Sequence, residues 1–198
     1  ITLYAKWDVQ SVNYTIKHCL QNANDDGYSL GAQENFNADT DTVVTPEVKN
    51  FDGFTAPKKQ QVTVEGDGRT TVIYRYTRNV QTLTLKNYEG KTDKTVEARY
   101  EMSIPKPTRA GYAFAGWYTD AKCTKEYNAN MPEPDLTLYA KWEANIVNYV
   151  VEHYQQNVQG DGYTLNESSH ARAAVDSEVT EEVMKYQGFE EPKTENVT

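Results

Sequence analysis

The chain repeats itself at a fixed offset of 135 residues. Thr2-Leu3-Tyr4-Ala5-Lys6-Trp7 returns as Thr137-Leu138-Tyr139-Ala140-Lys141-Trp142, and Val12-Asn13-Tyr14 as Val147-Asn148-Tyr149. Asp26-Gly27-Tyr28, Gly53-Phe54 and Pro57-Lys58 return as Asp161-Gly162-Tyr163, Gly188-Phe189 and Pro192-Lys193. Residues 1–63 align on 136–198 without a gap and with 28 of 63 identities, so the chain must fold as an array of units. It enters and leaves in mid-unit, which reads as a window on a longer tandem protein.

A period of 135 residues is too long for one repeat unit and must itself resolve into modules. Apolar residues make up 38% and aromatics 12%, with 15 tyrosines, which suits several thin aromatic β cores better than one large core. A net charge of −9 gives no basic footprint for nucleic acid or for an anionic membrane. No apolar run approaches the roughly 20 residues of a membrane span, and no signal peptide is present in this window. Cys19 is replaced by Tyr154 in the second copy, and neither Cys19 nor Cys123 has metal-site spacing, so both read as free or buried thiols.

Residues 12–20 alternate as a half-buried strand, with Val12, Tyr14, Ile16, His18 and Leu20 on one face. Asn24-Asp25-Asp26-Gly27 reads as a turn with positive φ at Gly27, followed by a short strand over 28–30 and a polar loop over 31–41. Thr45-Pro46-Glu47 has the form of a short helix start, closed by Asp52-Gly53. Residues 61–78 read as a hairpin turning at Gly66-Asp67-Gly68, and Thr77-Arg78-Asn79 as a module junction. Beyond it come a strand at 82–85, a strand or short helix at 93–101, an aromatic strand at 112–118 broken by Gly116, and a closing strand at 136–142.

The run from Pro107 through Ala110-Gly111-Tyr112-Ala113-Phe114-Ala115-Gly116-Trp117-Tyr118 to Asp120, followed by Leu136 to Trp142, closely resembles the Listeria–Bacteroides (internalin B-type) repeat. Its opening strand, Leu83-Thr84-Leu85-Lys86-Asn87-Tyr88-Glu89-Gly90, departs from the family's usual Asn-Gly-Gly ending. Residues 12–18, Thr45-Pro46, Gly53-Phe54 and 72–76 resemble the mucin-binding-protein-like module. Both resemblances imply a small β-grasp-like (ubiquitin-like) module on secreted or wall-anchored bacterial proteins. The organisation they imply is a closing strand of a preceding B-repeat at 1–7, a mucin-binding-protein-like module at 8–80, a B-repeat at 81–142 and a second, truncated mucin-type module at 143–198.

His18 and His153 share one position in the two copies and are candidate ligand-contacting or pH-sensing residues, against the plainer reading of a satisfied, partly buried histidine. Trp142, at a module end, is a candidate contact residue, whereas Trp117 reads as core, with Tyr112, Phe114, Leu138 and Tyr139 or Trp142 beside it. Asn22-x-Asn24-x-Asp26-Gly27 opens like a calcium loop, but its twelfth position is Gln33, so an ordinary turn is expected and no metal. No catalytic motif is present, and neither an enzyme activity nor a cofactor is expected.

The expected fold class is therefore β-rich α+β, as tandem β-grasp-like modules in an elongated array. The expected function is an extracellular stalk of an adhesin-type bacterial surface protein. The rival is a module that binds host glycans or glycoproteins, or a peptide by strand addition. Partners are neighbouring repeats of the same protein and, at the truncated third module, a strand from another chain, for which Ile1–Trp7 is a candidate donor.

Overall fold

A computed structural model describes residues 1–193 and 196–197. Packing divides the chain into two compact units. One comprises residues 1–86, 93–105 and 127–138, the other residues 87–92, 106–126 and 139–198. Among the described residues there is no helix, which corrects the α+β expectation to all-β.

The first unit opens with β1 (Ser11–Gln21) and β2 (Tyr28–Asp39), an antiparallel pair. The alternation of β1 puts Tyr14, Ile16 and His18 inward. β2 replaces the expected short strand and loop. Its register shifts between His18 and Cys19, where Gly31 is the extra residue, and this phase change hides the period of two. A Cβ at Gly31 would lie 2.7 Å from Leu20 Cγ, so in this copy the close approach of Leu20 favours glycine. Gly27 does not have the positive φ expected of it; Asp25 closes the turn by accepting the Gly27 N–H at 2.6 Å.

β3 (Val43–Val44) pairs with β5 (Val62–Thr63), and β4 (Phe54–Thr55) pairs with β6 (Thr71–Arg78). The expected 61–78 hairpin does not form. Residues 66–68 do turn, but β6 departs from β5 and runs parallel to β1, from Thr15↔Thr71 to Leu20↔Tyr76, giving the sheet order β2-β1-β6-β4. The side chains of β6 explain the choice: Val72, Tyr74 and Tyr76 alternate inward at 1%, 0% and 0% exposure, and the apolar face of β1 covers them.

Buried tyrosine hydroxyls need partners, and here they recruit backbone from 46–49. Tyr74 Oη donates to Pro46 O at 2.8 Å, and the Lys49 N–H donates to Tyr76 Oη at 2.9 Å. A helix starting at Thr45 would keep these groups for its own turns. The Thr45-Pro46-Glu47 signature therefore yields a segment without regular structure, and the expected helix is absent.

The same unit holds β7 (Val80–Lys86) and β8 (Lys94–Arg99), antiparallel from Val80↔Arg99 to Leu85↔Lys94, so residues 94–99 resolve to strand. Leu83, Leu85, Ala98 and Met131 are buried, as is Leu138 at the start of β10 (Leu136–Ala144). Among the described residues, 1–10 have no strand pairing, and Trp7 is 87% exposed. The equivalent strand β10 has neighbours that order it, in the sheet β8-β7-β10-β9, and Ile1–Trp7 has none.

In the second unit β9 (Tyr112–Tyr118) pairs antiparallel with β10, with a register shift between Lys141 and Trp142 opposite the Gly116 region. Trp117 is 5% exposed, edge-on to Phe114 at 5.2 Å and stacked on Tyr88 at 6.3 Å. Phe114 also meets Trp142 edge-on at 5.5 Å; Tyr112 and Tyr139 are half-buried too, but Tyr139 pairs with Tyr118 and so lies on the sheet face opposite Trp117, which corrects its expected place beside that ring.

β11 (Ile146–Gln156) and β12 (Tyr163–Ala174) reproduce the register of β1 and β2 residue for residue, including the bulge, now between His153 and Tyr154 with Asn166 as the extra residue. β13 (Val179–Thr180) and β14 (Asn196–Val197) reproduce the β3–β5 pair. Thr198, the expected partner position of Thr63, lies outside the described residues.

Two substitutions check this account. Trp117→Ala should cost about 3–5 kcal/mol, the range for a large aromatic removed from a core, read as the shift in a urea unfolding curve. Tyr76→Phe keeps the ring but strips the Lys49 N–H and His18 Nδ1 of their partner, and should cost about 1–3 kcal/mol. A Phe variant that melts like the parent would show that the hydroxyl does not hold the 46–49 segment.

Candidate functional site

Two clusters of side-chain contacts, one inside each compact unit, lie where the sequence analysis expects one module to give way to the next. At the first, Arg78 ends β6 and reaches in three directions. Its N–H donates to Gln21 Oε1 at 3.0 Å, its Nε–H to Gln21 O at 2.6 Å, and its guanidinium to Tyr100 O at 3.0 Å and Glu101 Oε2 at 2.5 Å. The guanidinium lies 4.6 Å over the Phe54 ring and 5.9 Å from that of Tyr100. Its side chain is only 12% exposed, so these charge-assisted bonds act with little competition from water.

Gly53 is placed by the same boundary. It has φ 76°, and a Cβ there would fall 2.1 Å from the Tyr100 ring. Any larger residue is excluded both by the backbone and by the aromatic ring seated on it. The repeat of Gly53-Phe54 as Gly188-Phe189 keeps the positive φ, at 88° for Gly188.

The β1–β2 turn belongs to this boundary as well. Asp26 pairs with Arg99 at 2.6 Å, and Asn24 Oδ1 accepts hydrogen bonds from Ser103 N–H and Oγ–H at 3.0 and 2.9 Å. Asn22 donates to Asp25 at 2.8 Å and accepts from Ser29 Oγ–H at 2.7 Å. The polar side chains that mimic a calcium loop are turn and boundary contacts. Asp25 is held below the ordinary carboxylate range first by the Asn22 amide and then by the Gly27 N–H.

The second boundary uses the same chemistry with different residues. The Arg109 guanidinium sits 3.4 Å over the Tyr112 ring and 3.6 Å from Asp176, which also accepts the Tyr112 hydroxyl at 2.8 Å. The backbone is tied by Asn145 N–H to Gly111 O and Val175 N–H to Asn145 O, both at 2.9 Å. Gly111, at φ 77°, is packed so closely that a Cβ would lie 2.8 Å from Val175 Cγ1.

The three residues singled out from the sequence each have their own surroundings. His18 is fully buried; its Nδ1 is 2.8 Å from Tyr76 Oη and its Nε2 is 3.4 Å from Glu34, which pairs with Lys49 at 2.8 Å. The Lys49 ammonium, more than His18, depresses the Glu34 carboxyl. His153 is half-buried, edge-on to Tyr186 at 6.3 Å, and the counterparts of Glu34 and Lys49 are Ser169 and Met184. Trp142 donates its indole N–H to Asn87 O at 2.9 Å and packs edge-on to Phe114 at 5.5 Å. The residues that sequence reasoning passed over are Arg109 and Asp176, together with the role of Arg78 within its predicted junction. The available signal was an arginine within a few residues of a tyrosine at each boundary.

Arg78→Ala should destabilise the first unit by about 2–3 kcal/mol, since it leaves buried carbonyls and Glu101 without their charged donor. Arg78→Lys should recover less than half of that in the same urea titration, because an ammonium cannot replace the planar fork. Full recovery by Lys would mean that charge alone acts at this boundary.

Among the described residues no group of His, Cys, Asp or Glu is arranged to hold a metal, and no helix is long and apolar enough to cross a membrane. The chain is similar to two proteins of Evansella cellulosilytica, named "Putative membrane protein" and "Putative Gly-rich membrane protein". Each is 27% identical over 158 residues, covering 73% of this chain but only 23% and 18% of the respective relative. Residues 82–141 match the model of the Listeria-Bacteroides repeat domain, a repeat of surface proteins that are typically non-enzymatic. The segment that carries Trp117, Arg109 and the strands β7 to β10 is a Listeria-Bacteroides repeat domain.

Proposed function

We propose that this chain is a spacer region of a bacterial surface protein, extracellular and built of alternating mucin-binding-protein-like modules and a B-repeat, at 8–80, 81–142 and 143–198. The observation that carries the reading is the pair of arginine-centred boundaries. Arg78 and Arg109 each bridge residues on either side of a short connection, stack on aromatic rings and pair with a carboxylate. A spacer needs neighbour-to-neighbour contacts that resist bending, and it needs no catalytic cleft. The match to a surface-protein repeat and the names of the two relatives support the same location.

The sheet order β2-β1-β6-β4, with a parallel central pair flanked by antiparallel strands, supports a β-grasp-like module whose helix is replaced by the segment at 46–49. Modules of that kind bury a thin core and work best in tandem.

In solution the full chain should have a radius of gyration well above the roughly 16 Å of a compact 198-residue globule, measured by small-angle scattering. The Arg78→Ala/Arg109→Ala double variant should broaden the distance distribution without loss of strand content. A value near that of a globule would overturn the spacer reading, and saturable binding on a glycan array would replace it with host recognition.

A further inference from the structure

The outer edge of β2 is long and unguarded. Among the described residues β2 pairs with β1 alone, and the sheet order β2-β1-β6-β4 leaves it at the rim. Edge strands are normally kept from pairing by Lys, by Pro or by a bulge. β2 has no Lys, Arg or Pro, and its bulge lies at Gly31, so residues 32–39 keep an uninterrupted register. The one charge within 32–38, Glu34, is met by Lys49 at 2.8 Å.

The phase of the hydrogen bonds shows which groups are open. Thr40 N–H donates to Gln10 O at 2.9 Å, and the register pairs Tyr14 with Phe36 and Val12 with Ala38. In an antiparallel ladder alternate residues aim their backbone at the same neighbour, so Phe36 and Ala38, like Thr40, face β1. The backbone N–H and C=O groups of Gln33, Asn35 and Asn37 therefore aim away from β1, out of the edge. The Phe36 ring is stacked on Tyr14 at 5.8 Å, yet it is 44% exposed, with no strand beyond it.

We infer that this edge pairs antiparallel with the same edge of a second copy of the chain, about a two-fold axis through Phe36. The pairing sets Phe36 against Phe36, Asn35 against Asn37, Glu34 against Ala38 and Gln33 against Asp39. Phe36 then takes a non-hydrogen-bonded position, where opposite Cα atoms are about 4.5 Å apart and side chains approach most closely. The two rings continue the Tyr14–Phe36 stack across the axis, and Asn35 and Asn37 exchange the ladder bonds beside them. Neither carboxylate of the strand meets another. Sliding the strands by two residues sets Phe36 against Glu34 instead and loses the aromatic contact.

The second copy supplies the contrast. β12 keeps the register of β2, but Asn35-Phe36-Asn37 is replaced by His170-Ala171-Arg172. Two β12 edges in the same arrangement would set Arg172 against His170 on both sides of an alanine axis. A cation on an edge strand is a guard, so β12 is protected where β2 is open.

The test uses the whole chain and a variant carrying N35H, F36A and N37R, residues that β12 already accommodates in this register. Sedimentation velocity should show the parent passing from monomer to dimer between dilute and near-millimolar protein, and no further. The variant should weaken that association tenfold or more, as for loss of a central aromatic anchor. Asn35→Pro should do the same, and it spares the β1–β2 ladder because the lost N–H faces outward. Hydrogen exchange should show Gln33, Asn35 and Asn37 amides gaining protection with concentration while Phe36 and Ala38 stay unchanged. Added salt should strengthen the dimer, since each copy carries a net charge of −9 and the pairing uses no ion pair. The inference is overturned if the parent stays monomeric over this range, or if both variants associate as strongly as the parent. Growth beyond a dimer overturns it too, since pairing of β2 with β12 would build open chains.

Discussion

The first module depends on the parallel seating of β6 against β1. The interior of this sheet is thin, and three tyrosine rings, Tyr14, Tyr74 and Tyr76, share it with Ile16, Val64 and Val72. Rings of that size carry a large apolar area, but each brings a hydroxyl that must find a partner in a dry place. Pro46 O, Lys49 N–H and His18 Nδ1 are those partners. One requirement, satisfying two hydroxyls, therefore fixes where β6 lies, ties down the segment at 46–49 and places a histidine in the core.

The register of β11 and β12 shows how much of this arrangement survives substitution. The bulge persists although its extra residue changes from Gly31 to Asn166, and the residue across from it changes from Cys19 to Tyr154. Backbone pairing, not the identity of the bulge residue, holds the position. The ion pair of Glu34 and Lys49 does not persist, in keeping with the modest worth of a half-exposed pair compared with a buried ring.

At the boundaries the chain uses arginine where a single side chain must serve several acceptors and an aromatic face at once. A lysine offers a point charge, whereas the guanidinium of Arg78 bonds to Gln21, Tyr100 and Glu101 while lying over Phe54. Glycines 53 and 111 are the complement, since each lets an aromatic or branched neighbour approach the backbone directly.

The repeat, the parity of β1, the aromatic strand β9 and the burial of Trp117 were all legible in the residues, because each is a local pattern or a matter of side-chain size. β2 was not, because the bulge at Gly31 breaks its alternation and most of its side chains face water. Strand β6 was recognised but paired wrongly: proximity along the chain favours a hairpin with β5, while the energy of covering Val72, Tyr74 and Tyr76 favours distant β1. The helix at Thr45 failed for the same reason, its local capping signal being weaker than two buried hydroxyls that claim its backbone. Sequence alone thus determined the modular period, the strand content and the residues large enough to be core. Tertiary structure decided which strands meet and where Arg78 and Arg109 point, because those depend on contacts between residues too far apart in the chain for any local pattern to record.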